Sequence, residues 1–186
     1  KFELPDPLVL NNGKKVKNAK VWRNKRRGQI LELFREHVYG HSPEPRDDMH
    51  FEVKSVVEKA LDGKAVRKAV TVYFSADKDG PQMDILLFLP ASATGPTPTF
   101  LGLNFSGNHA VHPDPTIAMA KGWMRPGKGV VDNRATEESR GANASRWAVD
   151  MIIERGYGLA TIYCGDIDPD FDDDFQNGVH PLFQKE

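Results

Sequence analysis

Two stretches of this chain carry residue types suited to chemistry. The first is residues 104–115 (NFSGNHAVHPDP), directly after an apolar run. Phe105, then the small residues Ser106 and Gly107, lead into Asn108 and His109. Such a turn can aim backbone N–H groups at a developing oxyanion. It can equally be a tight turn in which Asn108 and His109 bond the local backbone. His112, held before Pro113, reads as an ordinary loop histidine.

The second stretch is the acidic loop 165–174 (GDIDPDFDDD), with Asp166, Asp168, Asp170, Asp172, Asp173 and Asp174. Its D-x-D-x-D opening has a calcium-loop flavour. However, Phe171 stands where an EF-hand needs glycine, and no Glu follows at the twelfth position. The expectation is therefore no metal: one or two carboxylates serve loop backbone or basic partners, and the rest are solvated. The chain contains no G-x-S-x-G, no G-x-x-x-x-G-K-[ST], no H-E-x-x-H and no G-x-G-x-x-G after a strand. No nucleophile–base–acid set is visible.

The elements that must position these loops follow from hydrophobic period. Asn18 caps a helix through about Val38, with Trp22, Ile30, Leu33, Phe34 and Val38 on one face. Gly40 ends it, and Pro43 and Pro45 forbid continuation. Phe51, Val53, Ser55 and Val57 then alternate with polar residues as a half-buried strand. After the Asp62-Gly63 turn, residues 66–74 give a second strand with Val70, Val72 and Phe74 on one side. Residues 83–89 (MDILLFL) and 99–105 (TFLGLNF) are the third and fourth strands.

Residues 106–144 read as a long surface excursion, unusual in length unless functional. Ser145 is the expected N-cap of a helix over 146–155, with Trp147, Met151 and Ile152 at helical spacing and Gly156 at its C′ position. Residues 157–164 (YGLATIYC) form the fifth strand. The class is α/β with an antiparallel start, and the last strand–helix–strand unit should pair its strands in parallel.

Composition narrows the function classes. The 186 residues carry 25 Lys and Arg against 26 Asp and Glu, a net charge of −1. Nucleic acid or an anionic membrane as main partner would call for a basic excess. The one basic cluster, RNKRR at 23–27, reads as the solvated start of a helix. Cys164 is the single cysteine, so an internal disulfide and a Cys-rich zinc site are excluded. No apolar run approaches the ~20 residues of a membrane span. Residues 1–10 lack the apolar core and cleavage site of a signal peptide.

Several blocks together resemble one family. They are LPDPLV (4–9), WRNKRRGQILELFREHVY (22–39) leading to Gly40, FLGLNFSGNHAVHPDP (100–115), SRW (145–147) and RGYGLATIYCGDIDPDFDDDFQNGVHPLF (155–183). They are similar to the bacterial glucuronoyl esterases of carbohydrate esterase family 15, often labelled acetyl xylan esterase-like. The likeness covers nearly the whole chain and only the amino-terminal half of that family's catalytic domain. The resemblance implies an α/β-hydrolase fold, a three-layer sandwich with a mixed sheet. Residues 1–45 would form a surface segment and first helix, and 46–186 the sheet, excursion and crossover helix of a single catalytic domain.

The implied activity is serine-type hydrolysis of 4-O-methylglucuronoyl esters joining xylan to lignin, without a cofactor. The alternatives are an acetyl xylan esterase on the same scaffold and a non-catalytic carbohydrate-binding or structural fragment. The family's nucleophile elbow, G-C-S-R-x-G, has no counterpart here, so no catalytic residue is assigned. The matching active-site rim is Phe105, Ser106, Gly107, Asn108, His109, Asp166 and Asp168. The resemblance also implies a secreted or periplasmic enzyme. With the nucleophile strand missing, the strand over 99–105 would be a bare apolar edge, and the faces of 83–89 and 157–164 would lose their covering helices. The expected partners are thus the xylan–lignin ester and a second polypeptide with the nucleophile half, separated by a break near 184–186.

Overall fold

In the computed structural model, residues 4–183 are described, and the expected break near 184–186 lies outside them. The chain forms two units, residues 1–44 and 45–186.

In the first unit, Asn18 Oδ1 accepts the Val21 N–H at 3.0 Å, starting the helix as its side chain dictates. Helical backbone runs on through Ala19–Val21 (α1), Trp22–Arg26, Arg27–Phe34 (α2) and Arg35–Tyr39. The turn Trp22–Arg26 is widened, the Arg27 N–H reaching Trp22 O. Gly40, at φ 75°, ends it. Arg26, expected to be solvated, is buried. Its guanidinium donates to Pro7 O at 3.0 Å and Asn11 Oδ1 at 2.9 Å, so the leading segment is tied to the helix. Trp22 and Ile30 are half-buried, whereas Leu33, Phe34 and Val38 are exposed.

The second unit is built on a five-stranded sheet of β1 (His50–Ala60), β2 (Ala65–Tyr73), β3 (Gln82–Pro90), β4 (Thr99–Asn104) and β7 (Gly158–Tyr163). Its order is β1-β2-β3-β7-β4. All pairs are antiparallel except β4 and β7, which run parallel as the strand–helix–strand unit requires. The fold class is thus α/β with a mixed sheet and an antiparallel start.

Period 2 located these strands, but burial reverses some faces. Phe51 and Val53 of β1 are exposed, and in β2 the buried side is Arg67, Thr71 and Tyr73. Partners explain β2: Asp114 Oδ2 accepts from Arg67 Nη1 at 2.5 Å, and Thr71 Oγ1 donates to Asp84 Oδ1 at 2.5 Å. Thr71 is buried with its hydrogen bond met, whereas Arg67 is held by the Asp114 ion pair while its Nε is buried without a partner.

The crossover helix is broken. Helix α3 (Ala144–Trp147) begins after Asn143 rather than at Ser145, and α4 (Val149–Glu154) follows Ala148, which sits at φ 35°, ψ 43°. This reversal lays the Trp147 ring over Gly102, where a Cβ would come within 3.2 Å of it. It also turns Val149 and Ile153, rather than Met151, into the core. Gly156, at φ 80°, terminates the helix.

Excursion 106–144 is packed, not a loose surface loop. It buries His109, Val111, Ile117 and Met124, and carries a small hairpin of β5 (Val130–Val131) and β6 (Arg134–Ala135). Arg140 Nη1 donates to Asp114 O and Ile117 O, fastening it internally. Every residue of β7 is buried, so the loss of cover expected over 157–164 is not observed across 158–163, although Tyr157 is exposed. Leu86 and Phe88 of β3 are likewise in the core. Apolar exposure lies on both edge strands: on β1 at Phe51, Val53 and Val56, and on β4, where Phe100, Leu101 and Leu103 face solvent and no strand pairs its outer edge among the described residues.

Candidate functional site

Because β4 and β7 are parallel neighbours, the loops at their carboxyl ends emerge side by side. This is where an open α/β sheet places ligands. Asn104, buried at the end of β4, organises the junction. Its Nδ2 donates to Thr161 Oγ1 on β7 at 3.0 Å and to Asn108 Oδ1 at 2.8 Å. Its Oδ1 accepts the Ser106 N–H at 3.3 Å, so one donor that could have faced an oxyanion is already committed.

Asn108 Nδ2 in turn donates to Asp84 O at 2.7 Å, while the Asp84 N–H donates to Asp166 Oδ2 at 3.1 Å. Asp84 on β3 therefore joins the two candidate loops through its backbone. It is the one charge in the run MDILLFL, and that incongruity was the only sequence signal for it.

The seven rim residues divide by burial. Phe105 is 80% exposed, and Ser106 and Asn108 are half-buried. Gly107 is buried at φ 84°, and an added Cβ would lie 2.5 Å from the His109 ring, so glycine is required there. His109 is completely buried. Its Nδ1 accepts the Ala120 N–H at 3.3 Å, which assigns the proton to Nε2 for donation to Ser139 Oγ at 2.9 Å. Ser139 Oγ donates onward to Thr136 O at 2.6 Å.

This His–Ser contact has the composition of a catalytic dyad but the wrong polarity and no access. The histidine donates to the serine and supports the loop from beneath. Burial and the nearby Arg140 charge hold its pKa below the usual value, favouring the neutral ring.

Asp166 lies in the turn that follows β7 and accepts the Asp84 N–H of neighbouring β3. Burial, with a smaller contribution from the Asp84 charge, pushes its carboxyl up to about 6, against the pull of the Asp84 N–H. Asp168 is exposed, its Oδ1 3.4 Å from His180 Nε2. Burial raises the Cys164 thiol above its ordinary value and pushes the Tyr163 hydroxyl up to about 12, so neither is an activated nucleophile. Among the described residues, no three or more His, Cys, Asp or Glu side chains group as metal ligands.

Two open grooves flank the end of β4. One, about 310 Å³, is lined by Leu103, Asn104, Phe105, Ser106, Arg146 and Trp147, with Asn143 beside them. The other, about 280 Å³, is lined by Leu103, Phe105, Cys164, Ile167, Asp168 and Asp170. Phe105 and Leu103 are the ridge between them. Phe105, with Asn104 and Ser106, thus meets Arg146 and Trp147 on one side, and Phe105 alone of the three meets Asp168 on the other. His109 reaches neither groove. Arg146 and Trp147 were not anticipated as site residues, because helical spacing alone assigned Trp147 to the core.

No protein-family model matches the chain. It is 46% identical over its whole length to Carbohydrate esterase MZ0003 of an unknown prokaryotic organism, spanning 43% of that protein. The glucuronoyl esterase from Solibacter usitatus superposes with a TM-score of 0.89 at 46% identity, covering all of this chain and 47% of that one. A promiscuous CE15 esterase from a marine bacterial metagenome gives 0.83 at 44% identity, covering 98% of this chain and 46% of that one. The chain spans about half the length of the relatives it matches.

Proposed function

We propose that this chain, the counterpart of the amino-terminal half of carbohydrate esterase family 15 proteins, forms the scaffold and rim of a serine-type esterase acting on 4-O-methylglucuronoyl esters that link xylan to lignin. The observation that carries the reading is the full-length match to a glucuronoyl esterase. The site geometry agrees with it: two grooves converge on the carboxyl end of β4, an edge strand with an open outer side.

The reacting serine then comes from the part of the fold that this chain does not span, in the same polypeptide or a companion one. A strand continuing the sheet beside β4 would bring a nucleophile to the ridge formed by Leu103 and Phe105. There a serine, its proton taken by a histidine, attacks the ester carbonyl. The acyl-enzyme forms as the alcohol leaves with that proton, and water then releases the uronic acid. The residues of this chain would hold the substrate: Arg146, Asn143 and Ser106 on one wall, Asp168 and Asp170 on the other. A polymeric plant-wall substrate places such an enzyme outside the cytoplasm, in the periplasm or secreted.

The test is turnover of a benzyl glucuronate ester by the full-length polypeptide containing this chain. Hydrolysis abolished by a serine-directed phosphonate supports the reading. Absence of hydrolysis, with acetylated xylan cleaved instead, would favour the acetyl esterase.

A further inference from the structure

Beyond the two grooves, excursion 106–144 and the acidic loop meet at an aromatic pair. Trp123 and Phe171 lie with ring centroids 5.1 Å apart and planes at 54°. The Trp123 backbone is fixed, since Tyr163 Oη at the end of β7 donates to Trp123 O at 2.7 Å. The next residue is held twice: Met124 N–H donates to Asn133 O, and Asn133 Nδ2 donates back to Met124 O, both at 2.9 Å. Phe171 nevertheless leaves 41% of its surface in water. Beside the rings, Arg125 Nη2 and Asp170 Oδ2 are 2.7 Å apart, with side chains 71% and 52% exposed.

An ion pair this exposed adds little to stability, and a single exposed aromatic is ordinary alone, but here two rings on a hydrogen-bonded base adjoin a charged pair at the rim of a groove. Together they make a wall that offers a flat apolar face with a charged hydrogen-bonding fork at its edge. A pyranose presents the complement: an apolar C–H face, and vicinal hydroxyls that a carboxylate and a guanidinium can engage. Asp170 also lines the groove shared by Phe105 and Asp168, so the aromatic pair extends that groove outward.

We infer that Trp123, Phe171, Arg125 and Asp170 form a sugar-binding subsite for a backbone ring of the polysaccharide, next to the ester-binding groove. The identity of the sugar rests on the carbohydrate-esterase reading.

Calorimetric titration of the full-length polypeptide with xylotetraose, which carries no ester, tests the subsite without requiring catalysis. Saturable binding is expected. Phe171→Ala and Asp170→Asn should each weaken it about tenfold, the loss of an aromatic face or a charged hydrogen bond. Phe171→Tyr should retain it, and Phe51→Ala, which removes an exposed aromatic on the opposite sheet edge, should change nothing. Binding equally strong in Phe171→Ala and Asp170→Asn, or no binding to the parent, would overturn the inference. If xylotetraose binds while the glucuronate ester is not hydrolysed, the subsite stands and the esterase reading fails. Hydrolysis without xylotetraose binding gives the reverse.

Discussion

Asp166 and His109 come from the two candidate loops, and their environments assign them different work. Asp166 is held with a carboxyl pKa raised to about 6 by burial. In the unfolded chain it ionises near its ordinary 3.8. Between those values the folded state binds the extra proton, so this group's contribution to stability falls as pH rises from about 4 through 6. Relative to Asp166→Asn, the parent should lose ~2 kcal/mol between pH 4 and pH 7 in urea denaturation. A constant difference across that window would refute the assignment. Asp48 and Glu52, held near 2 by Arg46 and by Lys54 and Lys78, lose their contributions only as pH falls below about 4. They therefore leave the window clear. His109→Ala should cost about 3 kcal/mol, through a cavity and the unsatisfied Ser139 and Ala120 groups. Thermal melts would register it, while a pH profile of turnover by the folded fraction should not move.

At the scale of elements, hydrophobic period located every strand of the large sheet to within a few residues, because alternation and Gly/Pro punctuation are local properties. Faces and helix ends were less legible. Arg67 is buried only because Asp114, 47 residues away, meets it, and no local pattern records that. The break at Ala148 was invisible because alanine is a helix former. It accompanies the seating of Trp147 on Gly102, a contact between distant segments that no local pattern records. Ala148→Gly should stabilise the protein by ~1 kcal/mol by relieving the left-handed conformation, measured as a higher denaturant midpoint. A lower midpoint would mean the strain is absent. The exposed β4 edge should make this chain, expressed alone, self-associate. Leu101→Lys, which places a charge on that edge, should shift sedimentation profiles toward smaller species, and unchanged profiles would contradict an edge-mediated contact.

For the whole molecule, the loop residues were legible as a cluster because they follow apolar strands. Their division into exposed ridge, backbone clamp and buried support was not, since it depends on β4 and β7 being neighbours. In the proposed assembly this chain supplies a rim and the nucleophile lies outside it. The most direct test is to label the full-length polypeptide with a serine-directed phosphonate and locate the adduct by peptide mass spectrometry. One modified serine is expected, in a peptide outside this chain's 186 residues. An adduct on Ser106, Ser139 or any other serine of this chain would contradict that assembly.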